Sequence, residues 1–172
     1  MAKFKINKVQ YIGLGLLCIT ILSYSFWSTG YLSIPQLDKV TDLKQSQSRQ
    51  VYNESKSQYV VEELPINMEE FEVQIAMHHM SHQKVKADKK WGALQITPER
   101  INRLIEIVTK NQKGYDHSST YLDILNRWNE GDFSRVDRDH NEIWRLQGGT
   151  IGKATGILSA KKEKKYIEEN FE

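Results

Sequence analysis

"MEEFEVQIAMHHMSH", Met68 to His82, decides the fold. Val73, Ala76, Met77 and Met80 recur at helical spacing and share one face. Phe71, Ile75, His78 and His82 fall on the opposite face. A helix that is apolar on two sides is central in its bundle. Asn67 is the expected N-cap, with Glu70 three residues later. The helix is therefore expected from Met68 to at least His82.

Helical signatures continue outward from this stretch. Thr97 caps the next helix and Pro98 takes its first turn, with Ile101, Leu104, Ile105 and Val108 as an apolar stripe. "NQKGYD", from Asn111, breaks it. A third helix follows Ser118 or Ser119, carries Tyr121, Ile124, Leu125 and Trp128 on one face, and stops at Gly131. A fourth opens at Ser134 with Asp137 three residues on. It presents Val136, His140, Ile143, Trp144 and Gln147 together, and Gly148-Gly149 ends or kinks it. Ser159 caps the last, which carries Tyr166, Ile167 and Phe171. No alternating strand pattern is present. Residues 60–172 thus read as a small all-α domain of about five helices.

The chain before this domain has a different character. "KVQYIGLGLLCITILSYSFWSTGYLSIPQL" has no charge between Lys8 and Asp38. Its apolar part, Val9 to Trp27, is close to the roughly 20 residues that cross a bilayer. Lys3, Lys5 and Lys8 lie at the near end, Trp27 and Tyr31 at the far end, and the next cation is Lys39. That asymmetry puts residues 1–8 in the cytoplasm, makes 9–31 a transmembrane anchor and places everything later outside. The competing reading is a cleaved signal peptide, with Ile12–Leu22 as its apolar core and Ser23-Tyr24-Ser25 as a small-x-small site. Cys18 follows Leu17, too large for a lipid attachment signal, and reads as an apolar helix residue. Residues 32–59 are polar, rich in Gln and Ser, and read as a solvated stalk. Asn53-Glu54-Ser55 matches the glycosylation pattern, which matters only on a eukaryotic secretory route.

Charge and cysteine content exclude some functions. The 172 residues carry 24 basic and 22 acidic side chains and a single cysteine, so no intramolecular disulfide forms. Pro65 to Glu172 holds 17 of each sign. A neutral domain argues against nucleic acid as a partner.

Three of the five histidines fall within five positions. His78 and His82, at i and i+4, can share a cation, and His140 from another helix can complete a zinc shell of catalytic type. The run His78-His79-Met80-Ser81-His82 lacks the glutamate of the H-E-x-x-H motif. The alternative is that each imidazole bonds buried backbone or polar groups and knits helices together, or responds to pH. Lys84, Lys86, Lys89 and Lys90 crowd seven residues against Asp88 alone. They can contact anionic envelope polymers or lipid heads, or simply form a solvated helix end. Trp91 beside them reads as a core anchor.

"LQGGTIGKATGIL", from Leu146, is not a phosphate loop, because Gln147 and Ala154 stand at required positions. Gly152, Gly156 and Ala160, four apart, suit a small-residue helix in close contact with a neighbour. The alternative is an anion nest of the Gly148, Gly149 and Gly152 amides. "DRDHNE", from Asp137, lacks the glycine and closing glutamate of a calcium loop. No nucleophile set of the Ser-His-Asp or Cys-His kind can be assembled, and no catalytic residue is assigned.

"HHMSHQKVKADKKWG", "ITPERI", "YLDILNRWNEGDFS" and "HNEIWRLQGGTIG" together resemble a group of short, membrane-anchored proteins of Bacillus-type Gram-positive bacteria, catalogued as a domain of unknown function. The resemblance covers Met68 to Phe171. It implies a bacterial cell-envelope protein and carries no assigned activity or catalytic residues. The resulting expectation is a single-pass membrane protein with an extracytoplasmic helical domain. That domain would act as a binding or accessory module with a protein or anionic envelope partner and no required cofactor. The alternative is a metal-dependent hydrolase using zinc at His78, His82 and His140.

Overall fold

The computed structural model describes residues 35–172. The expected cytoplasmic N-terminus, the anchor at 9–31 and Cys18 lie outside the described residues. Among the described residues, no helix is long and apolar enough to cross a membrane.

The chain divides into two units, the second beginning at Asn53. Helix α1, Pro35–Glu63, spans the boundary. In the first unit its side chains from residue 39 to 52 are all exposed. Ser46 and Ser48 turn their hydroxyls back to the carbonyls of Leu43 and Gln45. From Pro35 on, the polar stretch expected as a stalk is helical. It has no apolar period, but neither does it have Gly or Pro between Gln36 and Glu63, and helix formers such as Gln, Lys and Glu recur through it.

The second unit holds α2 (Glu70–Ser81), α3 (Pro98–Asn111), α4 (Ser118–Asn129), α5 (Val136–Leu146) and α6 (Ala160–Phe171). A two-stranded antiparallel ladder joins β1 (Val85–Lys86) to β2 (Gly156–Ile157), with Val85 opposite Ile157. The described chain is mostly helical, as an all-α reading requires. The ladder is too short to leave an alternating pattern. It is extended by the Thr155 amide donating to the Lys86 carbonyl and the Leu158 amide to the Lys84 carbonyl.

This ladder replaces the small-residue helix expected across Gly152, Gly156 and Ala160. Gly152 has φ +86° and Gly156 φ +151°, both outside helical space. Close approach does occur at Gly152, where a Cβ would stand 2.8 Å from the Lys89 carbonyl oxygen. The contact is loop against loop.

Local caps explain the helix ends. The Glu69 amide donates to Glu72 Oε2 at 2.7 Å in a capping box two residues beyond the expected Asn67 cap. Glu70 is then free to hold the start of α4. It accepts the Asp116 and His117 amides, both at 2.9 Å, and the Tyr121 hydroxyl at 2.7 Å. Thr97 Oγ1 accepts the Arg100 amide, with Pro98 in the first turn. Gly131, at φ +78°, lets the chain leave α4. Helix α5 is entered through Arg135 rather than Ser134.

Helix α3 packs on α4, and α2 packs on α5. Val73, Met77 and Met80 of α2 join Leu104, Ile107, Leu125, Trp128 and Ile143 in the core. Val60 and Leu64 are buried in the same cluster. Two aromatic positions depart from expectation. Phe71 is 57% exposed and Trp91 64% exposed. The second side of α2 is covered only near its C-terminus, where His78 and His82 meet α5, so Phe71 two turns earlier has no cover. Trp91 lies in the loop after β1, which turns Gly92 rather than Trp91 toward α2.

Candidate metal centre

The packing of α2 on α5 brings His78, His82 and His140 together. Each offers a ring nitrogen, and the three nitrogens lie within 4.8 Å of one another. The closest pair is His78 Nε2 and His140 Nε2, 3.0 Å apart. The His78 ring centroid is 4.5 Å from that of His140 and 4.8 Å from that of His82. His82 and His140 are shut off from solvent, at 2% and 0% exposure, while His78 is half-buried.

The other nitrogen of each ring is also engaged. His82 Nδ1 lies 2.8 Å from the Gly92 carbonyl, so it must carry the proton, and His82 Nε2 is left as a lone pair. His140 Nδ1 lies 3.2 Å from Asn141 Oδ1. The orientation of that amide is fixed, because Asn141 also accepts the Ala154 amide and donates to the Ala154 carbonyl. His140 Nδ1 is thus a donor and its Nε2 a second lone pair. His78 Nδ1 lies 2.5 Å from Gln147 Oε1.

Two proton arrangements are open to His78, and only the second gives both of its ring nitrogens a partner without an ion. With Nδ1 donating to Gln147, its Nε2 becomes a third lone pair facing His140. With the proton on Nε2, it donates to His140, and the Gln147 amide must flip to donate to Nδ1. The first arrangement points three lone pairs inward, each ring held from behind by a carbonyl oxygen, the support that histidine ligands of metals receive. The second is a self-satisfied network that needs no ion.

The donor set fits a zinc-like ion. Zinc–nitrogen bonds of about 2.0–2.1 Å place tetrahedral ligands about 3.4 Å apart. The His78–His140 pair is already at 3.0 Å. The widest pair must close by at most about 1.4 Å.

Burial also keeps the rings neutral, as a ligand must be. It pushes His82 down to about 3 and His140 down to about 4. His140 is lowered further by the charges of His78 and Lys90. Burial lowers His78, against a smaller upward pull from Gln147, and lowers His79. Among the described residues, no carboxylate pairs with any of these rings. His79 leans on His82 with ring centroids 5.9 Å apart. Gly92, at φ +80°, is needed here because a Cβ would collide with the His79 ring and push the carbonyl away from His82.

The four lysines do not form one exposed patch. Lys84 pairs with Glu163 at 2.6 Å and lies over the Phe133 ring. Lys90 donates to the His82 carbonyl at 2.7 Å, at the negative end of α2, and lies over Tyr166. Lys86 and Lys89 are exposed. Of the three glycines, Gly148 and Gly149 donate their amides to the Arg145 and Trp144 carbonyls and so close α5. Gly152 serves the loop contact described above.

Sequence reasoning missed Gly92, Asn141 and Lys90 as parts of this centre. It placed Gln147 on the His140 face of α5 without giving it a role. Only Gln147 left a signal, seven residues after His140.

Fold and site together define a small helical domain built around a buried histidine cluster. The chain belongs to a family of unknown function (DUF6241), whose profile matches residues 77–168. That span includes all three clustered histidines, Lys90 and Gln147. No curated protein and no solved structure matches the chain.

Proposed function

We propose that this chain is a membrane-anchored binding module whose helical domain, outside the cytoplasm, holds a divalent transition metal, with zinc as the best fit, on His78, His82 and His140. The observation that carries the metal reading is the convergence of two buried imidazoles and one half-buried one, each with an amide or backbone carbonyl oxygen at Nδ1. The anchor reading rests on the uncharged stretch between Lys8 and Asp38 and its flanking lysines. His82 and His140 would hold the ion from the closed side, and His78 from the side nearer solvent. Gln147, Asn141 and the Gly92 carbonyl would fix the ring tautomers.

The full-length chain in detergent, titrated with zinc in a calorimeter, should give a saturable isotherm that His82→Ala abolishes. No heat and no thermal shift would end the metal reading. Protease added to intact protoplasts should digest the C-terminal domain, and full protection would overturn the orientation.

A second reading, a metal-dependent hydrolase, is favoured by the ligand count. Structural zinc sites close with four protein ligands, whereas three leave a position open. A metal there would supply Lewis-acid polarisation of whatever occupies that position. Hydrolysis of an ester or phosphoester panel by the zinc-loaded chain, lost in His140→Ala, would support it. Inactivity toward the whole panel would leave the binding module as the reading.

A further inference from the structure

We infer that the groove between α5 and the loop at residues 151–154 binds a linear phosphate polymer, with its phosphates on Arg135, Arg138 and Lys153. This does not depend on the metal reading above.

The groove has a volume of about 480 Å³ and is lined by Arg135, Arg138, Arg145 and Lys153 against a single carboxylate, Glu142. Positive charge is therefore in excess. Glu142 is spent on Arg145, its Oε1 accepting from Nη1 at 3.0 Å and its Oε2 from Nη2 at 2.7 Å. Arg135 reaches a carboxylate only at 3.5 Å, on Asp139, which already accepts from Arg127 and Trp128. Arg138 and Lys153 are exposed, and among the described residues neither side chain pairs with a carboxylate. A second groove, between α4 and α5, shares Arg135, Arg138 and Glu142, but there Asp123 and Asp139 join Arg127 and the charges balance. The excess lies on the loop side.

Lys153 is held over α5 by tethers before and after it. Trp144 Nε1 donates to the Ile151 carbonyl at 2.8 Å. Asn141 donates to the Ala154 carbonyl at 3.0 Å and accepts its amide at 2.8 Å. A helix rises about 1.5 Å per residue, so Arg135 to Arg145 covers about 15 Å, a length suited to an extended chain rather than one small anion. Phosphate fits better than carboxylate. One guanidinium covers both oxygens of a carboxylate, as Arg145 does with Glu142, whereas a tetrahedral phosphate keeps oxygens for a second donor. A recessed groove admits a chain more readily than a flat lipid surface. Trp144, the aromatic side chain in the lining, makes no series of platforms for nucleic-acid bases.

The full-length chain in detergent, titrated with sodium polyphosphate at about 50 mM salt, should bind saturably and more weakly as salt rises. Arg138→Gln with Lys153→Gln should weaken binding about tenfold at an unchanged urea midpoint, since both side chains are exposed. Lys164→Gln with Lys165→Gln, the same charge change on α6, should bind as wild type does. Equal losses in the two double variants would reduce the effect to net charge and overturn the inference, as would no binding by wild type. Orthophosphate should bind far more weakly than the polymer, and equal affinity would overturn the extended chain. Polyglutamate bound as tightly as polyphosphate would reassign the groove to an acidic polypeptide, and an oligothymidylate bound more tightly would reassign it to nucleic acid; either overturns the phosphate polymer.

Discussion

Helix α5 carries two buried polar centres on adjacent residues, and they are built on opposite principles. Asp139 is 2% exposed and surrounded by opposite charge and donors. Arg127 Nη2 reaches it at 2.5 Å, Trp128 Nε1 at 3.1 Å and Arg135 at 3.5 Å. Burial pushes its carboxyl up, while Trp128 and Arg127 pull it down. His140, one residue on, faces only other imidazoles, amides and a lysine. The first centre pairs its charges internally, with Arg127 Nε the one buried donor it leaves without a partner. The second stays neutral at the expense of three basic nitrogens crowded together. The first holds α4 to α5 and has its carboxylate fully paired, whereas the second has unused capacity for a cation.

The contrast can be broken most sharply at Asp139. Asp139→Ala should destabilise the full chain by about 3–5 kcal/mol in urea unfolding, because Arg127 and Trp128 lose a buried partner. A loss below about 1 kcal/mol would show that solvent replaces the carboxylate, and the two centres would no longer differ in kind.

Acid should separate them next. His82 and His140 titrate near 6.5 when unfolded and at about 3 and about 4 when folded. Above pH 6.5 both states are neutral and these rings add no slope. As pH falls below it, the unfolded chain binds protons that the folded chain refuses, so stability drops. Two rings give about 3 kcal/mol per pH unit once below the unfolded value, an order-of-magnitude slope. Urea midpoints at pH 7, 6 and 5 measure it. A flat profile over that window would mean that the rings charge without unfolding the domain.

Metal should reverse part of that loss. Zinc at a hundred times its dissociation constant should stabilise the wild-type chain by about 2.7 kcal/mol and His82→Ala not at all. Equal melting shifts in both would place the ion elsewhere. The smallest effect is expected behind the ligands. Gln147→Leu removes the acceptor at His78 Nδ1 and should weaken zinc about tenfold while leaving the urea midpoint nearly unchanged. Unaltered zinc affinity would assign Gln147 to packing alone.

Much of the domain was legible in its sequence because each helix carries its own local signals. Thr97-Pro98, the Ile101–Val108 stripe and Gly131 act over a few residues, and their elements formed where those signals lie. The ladder was not legible, since two-residue strands leave no period. Phe71 and Trp91 were misplaced because facing depends on which neighbour arrives, which helical phase does not encode. The same division runs through the site. The helical phase of His78, His82 and His140 indicated that each turns inward. That Lys84 bends to Glu163 and Lys90 to the His82 carbonyl depends on α6 and on a loop, both remote in sequence or irregular in backbone.

The β1–β2 ladder sets an order of events in synthesis. It pairs the segment just after His82 with one near the C-terminal end, on either side of most of the domain. A chain emerging from its N-terminus makes α2 early, yet the loop that brings Gly92 to His82 has no fixed seat until Gly156 and Ile157 have appeared. Closing so long a loop is slow relative to forming the helices. The histidine centre should therefore be among the last parts to mature, and a ribosome-stalled chain ending before Gly156 should contain helix without it.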